Sequence, residues 1–178
     1  MIVITVGGAL IGLLACLAVL LPWYRKSGSG GGKGGPKGAA GAGGRNWKTL
    51  APFGSGLAIG VLSATCVGGM LGLAARRIGG GSNTAGDRLL SWLTGVNSQA
   101  VTRAGLAALN PGGAVVLVLL LVGVVIVWRS SGKRIRRDMG LGLLAGCTLG
   151  PTAGLAGLAA VVLVPVVNSA GGALVGLL

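Results

Sequence analysis

Between Gly113 and Trp128 the chain reads GAVVLVLLLVGVVIVW, without one charge or strong hydrogen-bonding side chain, and then turns abruptly to Arg129, Lys133, Arg134, Arg136 and Arg137. Asn110 stands where an N-cap belongs and Pro111 at the first helical position, where its missing N–H costs nothing. A helix from there to Trp128 reaches ~27 Å at ~1.5 Å per residue, close to the thickness of the hydrocarbon core of a bilayer. Its twelve Val, Leu and Ile residues favour insertion by about 4 to 7 kcal/mol at best. Eight of the twelve are β-branched, which would suit a buried strand. A strand of this length would be about three times the usual, and in lipid each backbone group must bond within its own segment. The stretch 112–128 therefore reads as a transmembrane helix.

The rest of the chain asks for the same solvent. Of its 178 residues, 52% are hydrophobic and 10% charged, with a mean hydropathy of +0.86, against roughly 25% charged in soluble domains. The expected fold is all-α: a polytopic integral membrane protein with about four transmembrane helices and one interfacial helix. Fifteen Lys and Arg against Asp87 and Asp138 give a net charge of +13, and the cations lie between the apolar runs. Chemistry is bounded more tightly. There is no His, and Cys16, Cys66 and Cys147 fall in three separate apolar runs. That set cannot be spaced into a metal site or cysteine framework, and acid–base and nucleophilic catalysis lose their usual residues. The expectation is a protein that is not an enzyme and takes no cofactor, metal or small-molecule substrate.

Ile2 to Leu21 is apolar except for Thr5 and ends at Pro22-Trp23-Tyr24-Arg25-Lys26. A secretory signal carries its charge before the apolar core, and here the order is reversed, so 2–22 reads as an uncleaved first span with its amino end outside. Residues 23–52 form a basic loop around SGSGGGKGGPKGAAGAGG, too poor in large side chains to offset its backbone entropy. Lys33 and Lys37 lie in it, flanked by Arg45 and Lys48. A phosphate-binding loop is a poor match, because GSGGGKGG lacks the full GxxxxGK[ST] pattern and no strand precedes it.

The segment 53–75 reads as a second span. It carries Gly56, Gly60, Ala64, Gly68 and Gly72 at unbroken four-residue spacing, a ridge along which another helix can approach closely and cross right-handedly. Glycine is abundant, at 38 residues, but random glycines would rarely hold one register so long. The uncharged segment 139–178 repeats the pattern with Gly142, Gly146, Gly150 and Gly154, which makes the two ridged helices natural partners. Pro151 should kink this last segment and Pro165 should end it. One kinked helix over about 141–164 is the first reading, and a broken pair of half-spans with a re-entrant tail is the second.

Arg76 and Arg77 close the second span and Ile78 to Asn83 reads as a loop. Thr84 with Asp87 resembles a capping box opening a helix over 84–109. Leu89, Trp92, Leu93, Val96 and Ala100 fall on one side of it and Arg88, Asn97, Ser98 and Arg103 are polar, so it suits either the membrane interface or a short extramembrane helix packed on the spans. Trp23, Tyr24, Trp47, Trp92 and Trp128 all sit at expected interfaces. With the amino end outside, the inner loops hold Arg25, Lys26, Lys33, Lys37, Arg45, Lys48 and the five cations of the 129–138 loop. The outer loop holds only Arg76, Arg77, Arg88 and Arg103. That imbalance places both termini outside in a multi-pass cell-membrane protein, with Arg76 and Arg77 as the awkward pair.

Orientation accounts for most of these charges. Arg129, Lys133, Arg134, Arg136 and Arg137 also suit anionic headgroups at about 1 kcal/mol each, or DNA phosphates without sequence preference. No aromatic residue interleaves with them, so no single-strand stacking platform is indicated. In its spans, ridges and Gly/Lys-rich inner loop the chain resembles the plasmid spread proteins, of Spd or Kil type, of conjugative plasmids in mycelial actinomycetes. The resemblance is one of general character and covers WKTLAPFGSGLAIGVLSATCVGGMLGLAARR and LGLLAGCTLGPTAGLAGLAAVVLVPVVNSAGG. It implies a membrane-embedded partner of a DNA translocase, associating with itself or with other transfer proteins. A phage-like holin and a small channel or transporter subunit are the alternatives. The chain ends in ALVGLL instead of a charged tail, and no ionisable residue lies within a span, which is where transporters usually place them.

Overall fold

The computed structural model describes residues 3–28, 49–66, 68–102, 109–153 and 157–177. Lys33, Lys37, Gly154, most of the 23–52 loop and part of the 84–109 segment fall outside the described residues. The described chain forms six helices: α1 (Val6–Gly28), α2 (Ala51–Thr65), α3 (Gly69–Thr94), α4 (Pro111–Ser130), α5 (Lys133–Leu149) and α6 (Leu158–Gly176). This is an all-helical, polytopic membrane architecture. Three helices, α1, α4 and α6, are long and apolar enough to cross a bilayer, or four if α2 and α3 count as one bent span.

Several boundaries differ from the sequence reading, each for a visible reason. The stretch 53–75 is not one helix. It breaks after Thr65, and α3 leaves α2 at 106°. Gly69, with φ of +75°, supplies a left-handed residue that few side chains tolerate. The expected loop at 78–83 is helical, and Thr84 does not open a helix. It lies inside α3, where its hydroxyl donates to Gly80 O at 3.1 Å, and α3 stops at Thr94 on the left-handed Gly95. The basic run 129–138 is mostly not a loop, because α5 already begins at Lys133. The last segment is not one kinked helix over 141–164: α5 ends before Pro151 and α6 starts at Leu158, long enough to cross a bilayer by itself instead of forming a half-span, and Pro165 lies inside α6 and does not end it.

The packing reveals an organisation that the sequence reading missed: the chain is two copies of one three-helix unit. A Cβ placed on Gly56 would meet Met139 O and lie 3.1 Å from Leu143 N; one on Gly142 would meet Phe53 O and lie 2.9 Å from Leu57 N. Gly60 and Gly146 repeat the relation, each such Cβ lying 3.0 Å from the other residue's Cα. Residue numbers rise together along α2 and α5, so the helices run in the same direction, with a local two-fold axis between them. Gly7 meets Gly86 as Gly112 meets Gly171. Thr5 N–H donates to Asn83 Oδ1 at 3.2 Å and Asn110 N–H to Asn168 Oδ1 at 3.0 Å. The sequence carries the same correspondence: GGA at 7–9 and 112–114, GSGLAIG at 54–60 and GLGLLAG at 140–146, GMLGLAA at 69–75 and GLAGLAA at 154–160, NTAG at 83–86 and NSAG at 168–171.

Each half holds a small core on its own side of the α2–α5 pair. Ala15, Val19, Phe53 and Ala145 are buried together in one, and Leu62, Leu117, Val164 and Val167 in the other. The cores differ at one matched contact. In the first half Gly12 lies against Thr148, close enough that a Cβ would collide with its Oγ1. The equivalent residues, Leu117 and Leu62, fill the second core with two buried leucines. Beyond this contact α1 keeps Ala15 and Val19 buried, whereas Leu120 on α4 is 43% exposed. The bulk of Leu117 holds α4 off where Gly12 lets α1 close in.

Candidate functional site: the basic end of the bundle

Helix directions gather the cations. The start of α1 lies beside the end of α5, through Val101 N–H to Ile4 O at 2.8 Å and Ala153 N–H to Thr102 O at 2.9 Å. The C-terminal end of α1, the N-terminal ends of α2 and α5 and the C-terminal end of α4 therefore share the opposite end. Arg25, Arg129, Lys133, Arg134, Arg136 and Arg137 stand there, all exposed. Arg76, Arg77 and Arg88 lie on α3 at the other end, so Arg76 and Arg77 do not terminate a span.

The basic residues divide by what they hold. Arg136 closes the α4–α5 corner, donating from Nε to Trp128 O and from Nη2 to Arg129 O, each at 2.9 Å. Those carbonyls are among the last of α4, which have no partner within the helix. Arg137 approaches Asp138 at 3.8 Å but is 70% exposed, a geometry that contributes little. Lys133 and Arg134 occupy the first turn of α5, where the helix dipole disfavours cations, and no acidic residue stands in that turn to offset them. Their placement does not stabilise α5.

The sequence-derived ridges are used inside the molecule. Gly56 and Gly60 meet Gly142 and Gly146 across the α2–α5 crossing, and Gly150 packs on Val61. Ala64 is half-buried near the end of α2. Gly68 is not on the ridge, since a Cβ there would meet nothing within 4 Å, and Gly72 faces the carbonyl of Cys66 across the break. A ridge of five needed one continuous helix, and the bend at Cys66–Gly69 turns the last two members away.

At the opposite end the polar groups act as clamps. Thr5 Oγ1 donates to Asp87 Oδ1 at 2.6 Å, Ser98 donates to the same oxygen, and Asn83 Nδ2 donates to Val3 O at 2.6 Å. Asn83 and Asn168 each accept the N–H at the head of a spanning helix, one of the donors that a helix start leaves without a partner. Sequence reasoning passed over both, and the repeated N-[TS]-A-G was the signal that could have found them. Among the described residues no group of three His, Cys, Asp or Glu side chains converges as a metal site would require, and no buried side-chain polar atom lacks a hydrogen bond.

Comparison of the chain with protein-family models, with curated proteins and with solved structures finds no match.

Proposed function

We propose that this is a non-enzymatic, multi-pass membrane component of conjugative plasmid transfer and intramycelial spread. Both termini lie outside, and the basic end is presented on the inner side to DNA or to a DNA translocase. One observation carries the reading: the bundle collects Arg25, Arg129, Lys133, Arg134 and Arg137 at one end, with Asp138 the only carboxylate among the described residues there. The resemblance to plasmid spread proteins supplies the biological setting. Partner capture through the glycine ridges no longer fits, because Gly56, Gly60, Gly142 and Gly146 are occupied within the chain. Association with other copies or transfer proteins falls to outer faces such as α4 beyond Leu117, where Val118, Leu119, Val122 and Ile126 are exposed. A pore along the local two-fold axis of a single chain is disfavoured by the backbone contact of Gly60 with Gly146.

The test is flotation of the full chain, reconstituted in phosphatidylcholine vesicles, with duplex DNA of arbitrary sequence. Binding is expected at low salt, and changing Lys133, Arg134 and Arg137 to Gln should flatten the log–log salt slope by about 3. A slope unchanged by those substitutions would remove the DNA role of this end. Plasmid spread undiminished by deletion of the gene would remove the biological setting.

A further inference from the structure

The two halves build the same helix in the same place with different surfaces. In α3 the buried stripe is Gly72, Ala75, Gly79, Ser82 and Gly86. Arg77, Thr84 and Arg88 share an exposed edge opposite it, and Ile78, Ala85, Leu89 and Trp92 lie along the adjoining side. The residues of α6 that match Arg76, Arg77 and Arg88 are Val161, Val162 and Ala173. Since α6 takes the same position against α4 without any cation, the fold does not require Arg77 or Arg88. Their nearest carboxylate in sequence, Asp87, is already engaged by Thr5 and Ser98.

We propose that α3 is an anionic-phospholipid-binding helix. It lies in the headgroup layer with Arg77 and Arg88 against lipid phosphates and Leu89 and Trp92 in the acyl boundary. An amphipathic helix of this pattern lies in the interface plane, and its attraction to anionic lipid adds to its apolar burial. The 106° turn away from α2 sets α3 across the end of the bundle instead of along it. Trp92 is 83% exposed and stands one turn beyond Arg88, so it reports on whatever the arginine collects. The matching positions of α6 carry Val161, Val162 and Ala173 and no cation, so headgroup binding is assigned to α3 alone.

The experiment uses the full chain with Trp23, Trp47 and Trp128 changed to Phe, in vesicles of mixed phosphatidylglycerol and phosphatidylcholine with one of the two brominated on its acyl chains. Both leaflets carry the same mixture, so the outcome does not depend on orientation. Quenching of Trp92 by brominated phosphatidylglycerol should exceed that by brominated phosphatidylcholine by about twofold or more, within the fivefold that one favourable arginine contact allows. The excess should vanish in Arg77→Gln/Arg88→Gln and persist in Lys133→Gln/Arg134→Gln/Arg137→Gln. Equal quenching by the two lipids, an excess that survives loss of the α3 arginines, or no quenching by either would each overturn the proposal. Phosphatidylglycerol retained by the chain with all tryptophans intact, counted by native mass spectrometry, gives a second readout, and it too should fall in Arg77→Gln/Arg88→Gln.

Discussion

The first half of the molecule and the second share one backbone plan and spend their side chains differently. Where the first half has Gly12 on Thr148, the second has Leu117 on Leu62, and the spanning helix stands closer in one half than in the other. Where α3 carries Arg76, Arg77 and Arg88, α6 carries Val161, Val162 and Ala173. What remains constant is the set of backbone approaches: glycine on glycine between α2 and α5, glycine on glycine between each first and third helix, and an asparagine at the head of each span. In lipid, where apolar side chains gain little by leaving one apolar surface for another, close backbone packing and buried hydrogen bonds hold helices together. The shared plan consists of those two interactions, and the variable part is the side chains set on it, inside the cores at Gly12 and Leu117 as well as on the outer faces of α3 and α6.

This comparison can be broken most sharply at its centre. Gly60→Leu and Gly146→Leu should each cost about 3 kcal/mol or more by forcing a side chain into opposing backbone. The two variants should lower the midpoint of thermal unfolding in detergent by the same amount, and a large inequality would deny the two-fold relation. Leu117→Ala should cost about 2 kcal/mol by opening a cavity among Leu62, Val164 and Val167. Its counterpart Gly12→Ala should also destabilise, by overpacking against Thr148, so the matched position penalises opposite changes in volume. Asn83→Ala should cost about 1 to 2 kcal/mol by stranding the part-buried Thr5 N–H at the start of α1, and Asn168→Ala, whose bond to the Asn110 N–H is exposed, about 0.5 to 1 kcal/mol. Susceptibility of Thr5 or Asn110 to exchange in hydrogen–deuterium measurements would locate the loss. Gly68→Ala should change stability by less than about 0.5 kcal/mol, although it stands in register with Gly56 and Gly60.

The parts legible in advance were those set by solvent and local chemistry. The apolar run to Trp128, the Asn110-Pro111 helix start and the pairing of a GxxxG in 53–75 with one in 139–178 all follow from residue type and spacing. The errors arose where a spacing continued past the element that carried it. Gly68 and Gly72 extend the four-residue register, but α2 ends at Thr65 and the chain turns through the left-handed Gly69 into α3, so the helix that would have aligned them does not continue. Thr84 and Asp87 have capping-box spacing, yet Asp87 turns to Thr5 across the molecule, a partner that local pattern cannot reveal. The duplication was written in GLAA and in N-[TS]-A-G all along. It was hidden because the connection from α1 to α2 is much longer than that from α4 to α5, and because charge differs between α3 and α6.

A distance measured across the α2–α5 crossing tests the central claim most directly. Spin labels at Leu57→Cys and Leu143→Cys, with Cys16, Cys66 and Cys147 changed to Ser, flank the Gly60–Gly146 contact in the reconstituted full chain. Helices packed at an interaxial distance of about 8 Å should give one narrow distribution centred below about 20 Å. That distribution should be unchanged when labelled protein is diluted with unlabelled protein. A broad distribution beyond about 30 Å, or a short distance that disappears on dilution, would contradict the paired-repeat architecture.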